Sequence, residues 1–210
     1  MADPPHAAIP DAPPVQDLAR FVRPPDFLGR AVWWVQLWWL VQATLFGLSP
    51  QAAFGWRRLL LRLFGARIGP AARIRPSVRC VFPWRLSVGE WAWIGDRVTL
   101  YSVDRIEIGA HAVVSHGSTI CTADHDPDDP SFAVRRAPVR IGREVWLASE
   151  VFVAPGVSVG DGAVLGVRAL ALHDVPARTI AYGQPARPAR PRGVDTAVAP
   201  PKRPVRTAGR

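Results

Sequence analysis

From Ile68 onward the chain places an apolar residue at every sixth position: Ile68, Ile74, Cys80 and Leu86; Val88, Ile94, Leu100 and Ile106; Ile108, Val114 and Ile120. After an interruption the series resumes as Ile141, Leu147, Val153, Val159, Leu165 and Ala171. A period of six matches neither the 3.6-residue helix nor the two-residue strand, and predicts a mainly β chain: a parallel β-helix of hexapeptide repeats, three short strands to a coil. One apolar side chain per step would fill a narrow prism. Glycine follows that side chain in Ile68-Gly69, Val88-Gly89, Ile94-Gly95, Ile108-Gly109, Ile141-Gly142, Val159-Gly160 and Leu165-Gly166, where it is expected to supply the backbone freedom of each corner. The two-residue offsets from Leu86 to Val88 and from Ile106 to Ile108 predict slightly longer corners, one coil apart. Each coil buries its faces only against its neighbours, so the ends of the stack must be covered.

The series breaks between Cys121 and Pro138, where CTADHDPDDPSFAVRRAP replaces the expected steps. A segment with so much Asp and Pro does not fit inside the prism and must project from it, and loops carried on a rigid scaffold are where chemistry concentrates.

The 210 residues allow one domain with appendages. Hydrophobic residues at 49% against charged residues at 20% require a buried core, while 22 Pro and 17 Gly disfavour a helical bundle. A net charge of +9 suits anionic partners. Much of the excess sits in Arg187, Arg190, Arg192, Lys202, Arg203, Arg206 and Arg210, and without a basic helix, finger or aromatic platform no nucleic acid is expected. Cys80 and Cys121 are too few for a disulfide framework, which fits a reducing, cytoplasmic setting. Cys80 falls on an inward step and reads as a small core residue. The expected organisation is a disordered Pro-rich leader over 1–25, a Trp-rich helical segment over 26–66, a β-helix domain over 67–190 with an extruded loop at 122–138, and a basic disordered tail over 191–210.

Within the helical segment, Ala31 to Leu48 (AVWWVQLWWLVQATLFGL) carries no charge and is apolar nearly all round, which implies burial in protein or lipid. FGWRRLLLRLFG follows, with Arg57, Arg58 and Arg62 on one arc and Trp56, Leu59, Leu60, Leu63 and Phe64 opposite, the pattern of an interfacial membrane helix. Three readings stand side by side here: attachment to a membrane surface at the inner face of the cytoplasmic membrane, packing against the core, and a true span.

The repeats, the extruded Thr122-Ala123-Asp124-His125-Asp126-Pro127, the Val145-Trp146-Leu147-Ala148-Ser149 and Ala154-Pro155-Gly156-Val157 steps and the closing Gly183-Gln184-Pro185-Ala186 resemble hexapeptide-repeat O-acetyltransferases. Gly55-Trp56-Arg57-Arg58 and Leu61-Arg62-Leu63-Phe64-Gly65-Ala66 are most similar to the colanic acid biosynthesis acetyltransferases among them. The resemblance spans about Phe27 to Arg190. It implies a left-handed β-helix that forms a homotrimer, with acetyl-CoA in the groove between subunits and no metal. The acceptor it implies is a sugar or lipid-linked glycan of exopolysaccharide or surface glycan assembly.

Moving an acetyl group from a thioester to a hydroxyl needs a base, and an imidazole, which ordinarily titrates near neutral pH, suits His125 to that role. By resemblance the amide of Ser149 donates to the developing oxyanion, Trp146 lines the pantetheine and acetyl region, Val167 meets the pantetheine arm through its backbone, and Arg187 and Arg190 approach the CoA phosphates. Ser102, Asp104, Asp124 and Asp126 are acceptor-side candidates; the aspartates could orient His125 or the sugar, or, for Asp124 and Asp126, simply form turns. The chain departs from its relatives at Gly166-Val167-Arg168-Ala169, at Leu172-His173 and at Ser102. No Ser or Cys stands as an obvious covalent nucleophile, although Cys121 lies close in sequence. Two other readings remain: a non-catalytic scaffold for a membrane complex, and a γ-class carbonic anhydrase-like zinc enzyme using His111 and His116, for which an upstream third histidine is missing after His6.

Overall fold

The computed structural model of the protein describes residues 15–193, so the first part of the expected leader and most of the expected tail lie outside the described residues. From Arg67 the chain winds as a parallel β-helix with three faces. The first face runs through Arg67–Ile68, Leu86–Val88, Ile106–Ile108, Val139–Ile141 and Ser158–Val159. Arg73–Ile74, Trp93–Ile94, Val113–Val114, Trp146–Leu147, Val164–Leu165 and Thr179–Tyr182 form the second. Arg79–Cys80, Thr99–Tyr101, Thr119–Cys121, Phe152–Val153 and Leu170–Ala171 form the third. Registers stack Ile68 on Val88, Val88 on Ile108, Ile108 on Ile141 and Ile141 on Val159, so the six-residue series is the interior of the prism. Ile74, Ile94, Leu100, Ile120, Ile141 and Leu147 are all fully buried. Both offsets mark places where two residues of one strand point inward: Leu86 with Val88, and Ile106 with Ile108.

The glycines serve a purpose other than the expected one. Residues with left-handed backbone stand three positions after the inward apolar residue and are mostly not glycine: Ala71, Trp91, His111 and Glu144 at one corner, Arg97, Glu150 and Arg168 at the next. The glycine directly after the apolar residue has no such dihedral. Its constraint is space. A Cβ on Gly95 would stand 2.8 Å from the His116 amide nitrogen of the following coil, and at Gly69, Gly89, Gly109 and Gly160 it would press closer still on backbone. These glycines let successive coils approach, which is the condition for stacking at strand spacing.

Helix α1 (Val32–Val41) continues through a π-helical turn at Gln42–Phe46 and breaks before helix α2 (Phe54–Leu63). The helical run of the uncharged stretch thus ends at Phe46, and no helix among the described residues is long and apolar enough to cross a membrane. Together the helices cover the open end of the first coil, whose backbone has no preceding coil to bond. Trp38 Nε1 donates to the Cys80 carbonyl at 2.8 Å, and Gln42 Oε1 accepts from the Cys80 amide at 2.7 Å. Arg57 Nε donates to the Ile74 carbonyl at 2.5 Å, Arg58 to Ala72 at 3.0 Å and Arg62 to Ile68 at 2.9 Å.

The basic arc of α2 expected from the sequence is present, and it is directed at the coil. Its arginines turn in to finish the hydrogen bonding of the coil edge, Arg57 is fully buried, and Trp56, Leu59 and Leu63 face outward. Burial lowers the Arg57 pKa from the ordinary arginine value, with nearby Arg75 adding to the effect.

At the other end Arg187–Pro191 folds back antiparallel on Thr179–Tyr182 through the Gly183–Ala186 turn. Residues 15–25, expected to be unstructured, are laid against the extruded loop: the Asp17 amide donates to the Pro130 carbonyl at 2.7 Å and Leu18–Arg20 form a 3-10 turn.

Candidate active site

The interruption in the repeat is an antiparallel hairpin, Ala123–His125 paired with Val134–Arg136, leaving the edge of the third face at which the chain departs. Its aspartates and Ser131 build the turn. Asp126 Oδ1 accepts from the Asp128 amide at 3.0 Å, and Asp129 Oδ1 accepts from both the amide and the hydroxyl of Ser131 at 2.8 Å. Those bonds hold the Asp129 carboxyl below the usual carboxylate range. Arg136 pairs with Asp26 at 2.9 Å, a contact whose hydrogen bond lowers the Asp26 pKa and ties the hairpin to the segment before α1.

His125 projects from this hairpin half-buried, stacked on Phe132 with ring centroids 3.8 Å apart and planes 11° from parallel. Its Nδ1 lies 2.8 Å from the Phe132 carbonyl oxygen. A carbonyl only accepts, so Nδ1 carries the hydrogen and, in the neutral ring, Nε2 keeps its lone pair. Phe132 has a φ of 53°, an uncommon backbone for a bulky side chain, and at this position it supplies both the stacking face and the accepting carbonyl. Nothing in the six-residue pattern singled it out.

Around His125 lies a pocket of about 340 Å³, walled by Phe21, Phe27, Tyr101, Ala123 and Val134 with Arg23 at its side. Arg85 fastens one wall, donating to the Phe27 carbonyl at 2.9 Å and the Asp26 carbonyl at 2.7 Å. A larger groove of about 1060 Å³ between α1 and the third face shares Arg23, Phe27 and Tyr101 with this pocket.

None of the three candidate aspartates touches the imidazole. Asp124 pairs with Arg135 at 3.1 Å, Asp126 closes its turn, and Asp104 caps the Arg105 amide at 2.6 Å. Ser102 does not face the pocket, which corrects its placement on the acceptor side. It is fully buried, its hydroxyl accepting from the Phe82 amide at 2.9 Å and donating to the Phe82 carbonyl at 3.1 Å. Cys121 donates to the Ala123 carbonyl at 3.1 Å, and burial pushes its thiol pKa up, away from the thiolate a nucleophile needs. Cys80 is a buried core residue with its thiol pushed up to about 12 by desolvation.

A second group of site residues gathers elsewhere. Trp146 is exposed on the second face and donates from Nε1 to Ser115 Oγ at 3.1 Å, while Ser149 Oγ stands 3.2 Å from His116 Nδ1 at the corner leading into the third face. The Ser149 amide makes no hydrogen bond among the described residues. Val167 is exposed at the same corner one coil on, beside Arg168, which pairs with Glu150 at 2.6 Å. Arg187 and Arg190 lie exposed on the closing antiparallel strand, and Leu172 and His173 are exposed just past the third face.

Ser149 thus precedes Phe152–Val153 while His125 follows Thr119–Cys121, so within one chain the two stand at opposite edges of the third face. His111 and His116 are likewise separated by the width of the second face, and among the described residues no three His, Cys, Asp or Glu side chains gather as a metal site.

No family model matches the chain. Over 172 residues it is 49% identical to the Escherichia coli K12 protein named as a colanic acid biosynthesis acetyltransferase, WcaF, a match covering 82% of this chain and 94% of that relative. Among solved structures, maltose O-acetyltransferase from Clostridium difficile 630 matches with a TM-score of 0.71 at 24% identity, covering 80% of this chain and 95% of that one. A hexapeptide-repeat acetyltransferase from Vibrio cholerae, complexed with acetyl coenzyme A, matches with a TM-score of 0.67 at 24% identity over 75% of this chain and 85% of that one. Those two structures share the fold, whereas the first relative shares half of its residues along nearly its whole length. The chain accordingly belongs to the hexapeptide-repeat acetyltransferases, in the family of the colanic acid biosynthesis acetyltransferases, and is an acyltransferase.

Proposed function

We propose that the protein transfers acetyl from acetyl-CoA to a sugar hydroxyl in exopolysaccharide or surface glycan assembly, with His125 as general base and no covalent enzyme intermediate. The observation that carries this reading is the bond from His125 Nδ1 to the Phe132 carbonyl, which leaves Nε2 as the acceptor at the wall of an aromatic pocket. The acceptor hydroxyl gives its proton to Nε2 as its oxygen attacks the thioester carbonyl. The Ser149 amide donates to the resulting oxyanion, and collapse breaks the C–S bond, the departing sulfur taking the proton back from Nε2. The raised pKa of Cys121 favours this direct route over an acyl-cysteine.

In the same reading Trp146 and the Val167 backbone flank the pantetheine arm, and Arg187 and Arg190 meet the CoA phosphates. Because His125 and Ser149 occupy opposite edges of one face, the reaction requires two copies of the chain, with the base of one beside the oxyanion donor of the next; a homotrimer supplies three such clefts. The relative named for colanic acid biosynthesis, the acetyl coenzyme A in the Vibrio cholerae structure and the sugar acetyltransferase named above support donor, acceptor class and setting. We assign the reaction to the cytoplasm, a reducing setting that suits two free cysteines. The groove adjoining the pocket gives room for an acceptor larger than one sugar.

His125→Ala, folded as judged by its circular dichroism, is expected to lose about a hundred- to ten-thousand-fold in kcat for acetyl-CoA and glycan acceptor. Unchanged turnover would remove His125 from the role of base, whereas absence of turnover with any glycan acceptor, or an unaltered acetyl content of surface glycan in cells lacking the gene, would leave the scaffold reading in its place.

A further inference from the structure

The outward face of the helical cap is apolar and unaccompanied by acid. On α1 it carries Val32, Trp33, Leu37, Trp39 and Leu40 with Gln36, then Leu45 and Leu48 beyond the helix, and on α2 Trp56, Leu59 and Leu63. The two helices present one continuous surface. Trp33 and Leu63 line the same shallow pocket, and Trp56 Nε1 donates to the Leu45 carbonyl at 2.9 Å. Leu48 is 82% exposed and Trp33 66%. A contiguous patch of this kind on one end of a protein marks an interaction site, and indoles set among leucines favour the boundary between hydrocarbon and water.

Directly beneath the cap, the first coil turns one arginine outward on each of its three faces: Arg67, Arg73 and Arg79. Among the described residues none of the three makes an ion pair; Arg73 lies over two rings, Trp93 at 4.8 Å and Phe54 of α2 at 5.9 Å from the centroids. From Phe27 to Gly89 the chain contains no Asp or Glu, and Asp96 of the next coil, the acid that reaches this level, is taken up by Arg75 at 3.4 Å and Ser77 at 2.9 Å. An apolar dome ringed by unpaired guanidiniums matches a layer of hydrocarbon bounded by phosphates. A protein partner or a second copy presenting the same cationic cap would have to oppose the collar with like charge.

We propose that the cap seats the prism end-on upon an anionic bilayer, the indoles and leucines of α1 and α2 entering the interface and Arg67, Arg73 and Arg79 meeting lipid phosphates. Arg57, Arg58 and Arg62 take no part, being committed to the coil edge. This seating does not depend on the acetyl-transfer reading: its residues do not line the pocket around His125, and although Trp39, Leu48 and Arg79 border the adjoining groove, flotation reads lipid binding without any turnover.

The test is flotation of the full chain with vesicles of phosphatidylcholine alone and of phosphatidylcholine with phosphatidylglycerol, followed in parallel by Trp emission. Flotation with the anionic vesicles and a blue shift of emission are expected. The pair Trp33→Ser and Leu48→Ser, both at strongly exposed positions, should reduce binding at least tenfold without altering thermal unfolding. Replacing each collar arginine by Gln should weaken binding to the anionic vesicles about fivefold per site, and 0.5 M salt should do the same to the unmodified chain. Flotation with neither vesicle type overturns the proposal. So does a concentration-dependent association between copies that the Trp33→Ser and Leu48→Ser pair abolishes, because the cap would then be a contact between chains. Binding that ignores the collar substitutions overturns the role of the arginines.

Discussion

The two ends of the β-helix solve the same problem with different parts. Each exposes a coil whose backbone groups have no neighbour, and each must satisfy them. At the first coil side chains do the work: Trp38 and Gln42 take both groups of Cys80, and Arg57, Arg58 and Arg62 take the carbonyls of Ile74, Ala72 and Ile68. At the last, backbone pairs with backbone, as Arg187–Pro191 hydrogen-bonds along Thr179–Tyr182. An end closed by side chains stands or falls with individual residues. An end closed by a strand tolerates substitution, because what is bonded there is common to all amino acids, proline's missing N–H aside.

The largest expected effect tests the first end. Arg57→Met leaves the Ile74 carbonyl unpaired and strips partners from Pro50 and Gln51, which should cost about 3 kcal/mol or more and lower Tm by about 6–12 °C in a thermal scan. Trp38→Phe keeps a ring in the core but removes the donor to Cys80, so a loss of about 1–2 kcal/mol by denaturant titration is expected. At the far end Arg187→Ala should change stability by no more than about 0.5 kcal/mol, since the strand is exposed along its length. Should that last variant also raise the KM for acetyl-CoA, the phosphate-binding role proposed for Arg187 gains support. Equal losses for Arg57→Met and Arg187→Ala would dissolve the contrast between the ends.

Much of the solenoid was legible because its constraint is one-dimensional: a side chain inside the prism recurs whenever the chain turns the same corner, and Ile68 through Ala171 report each turn. The extruded segment was legible as an interruption for the same reason. What the period does not encode is which group reaches across space. The apolar and basic arcs of α2 were visible, but their orientation depends on the unpaired carbonyls of Ile74, Ala72 and Ile68, which have no signature in the helix itself. The glycines were found and misread, because a residue that lets two coils approach and one that bends the backbone look alike in sequence. His125 was identified through its family resemblance, whereas Phe132, seven residues on, holds it by a carbonyl that any residue possesses. Ser102 became a candidate through its family resemblance alone, and nothing in its position along the chain signals that its hydroxyl is engaged by the Phe82 backbone.

The contact between His125 and Phe132 carries one further consequence for the proposed chemistry. With one ring nitrogen engaged by a main-chain oxygen, the imidazole is closed as a wire: a proton arriving at Nε2 has no exit through the far side of the ring to bulk water. It can only wait and leave by the door through which it came, so the sulfur of departing coenzyme A and the sugar oxygen must both come within reach of the same atom during a single visit.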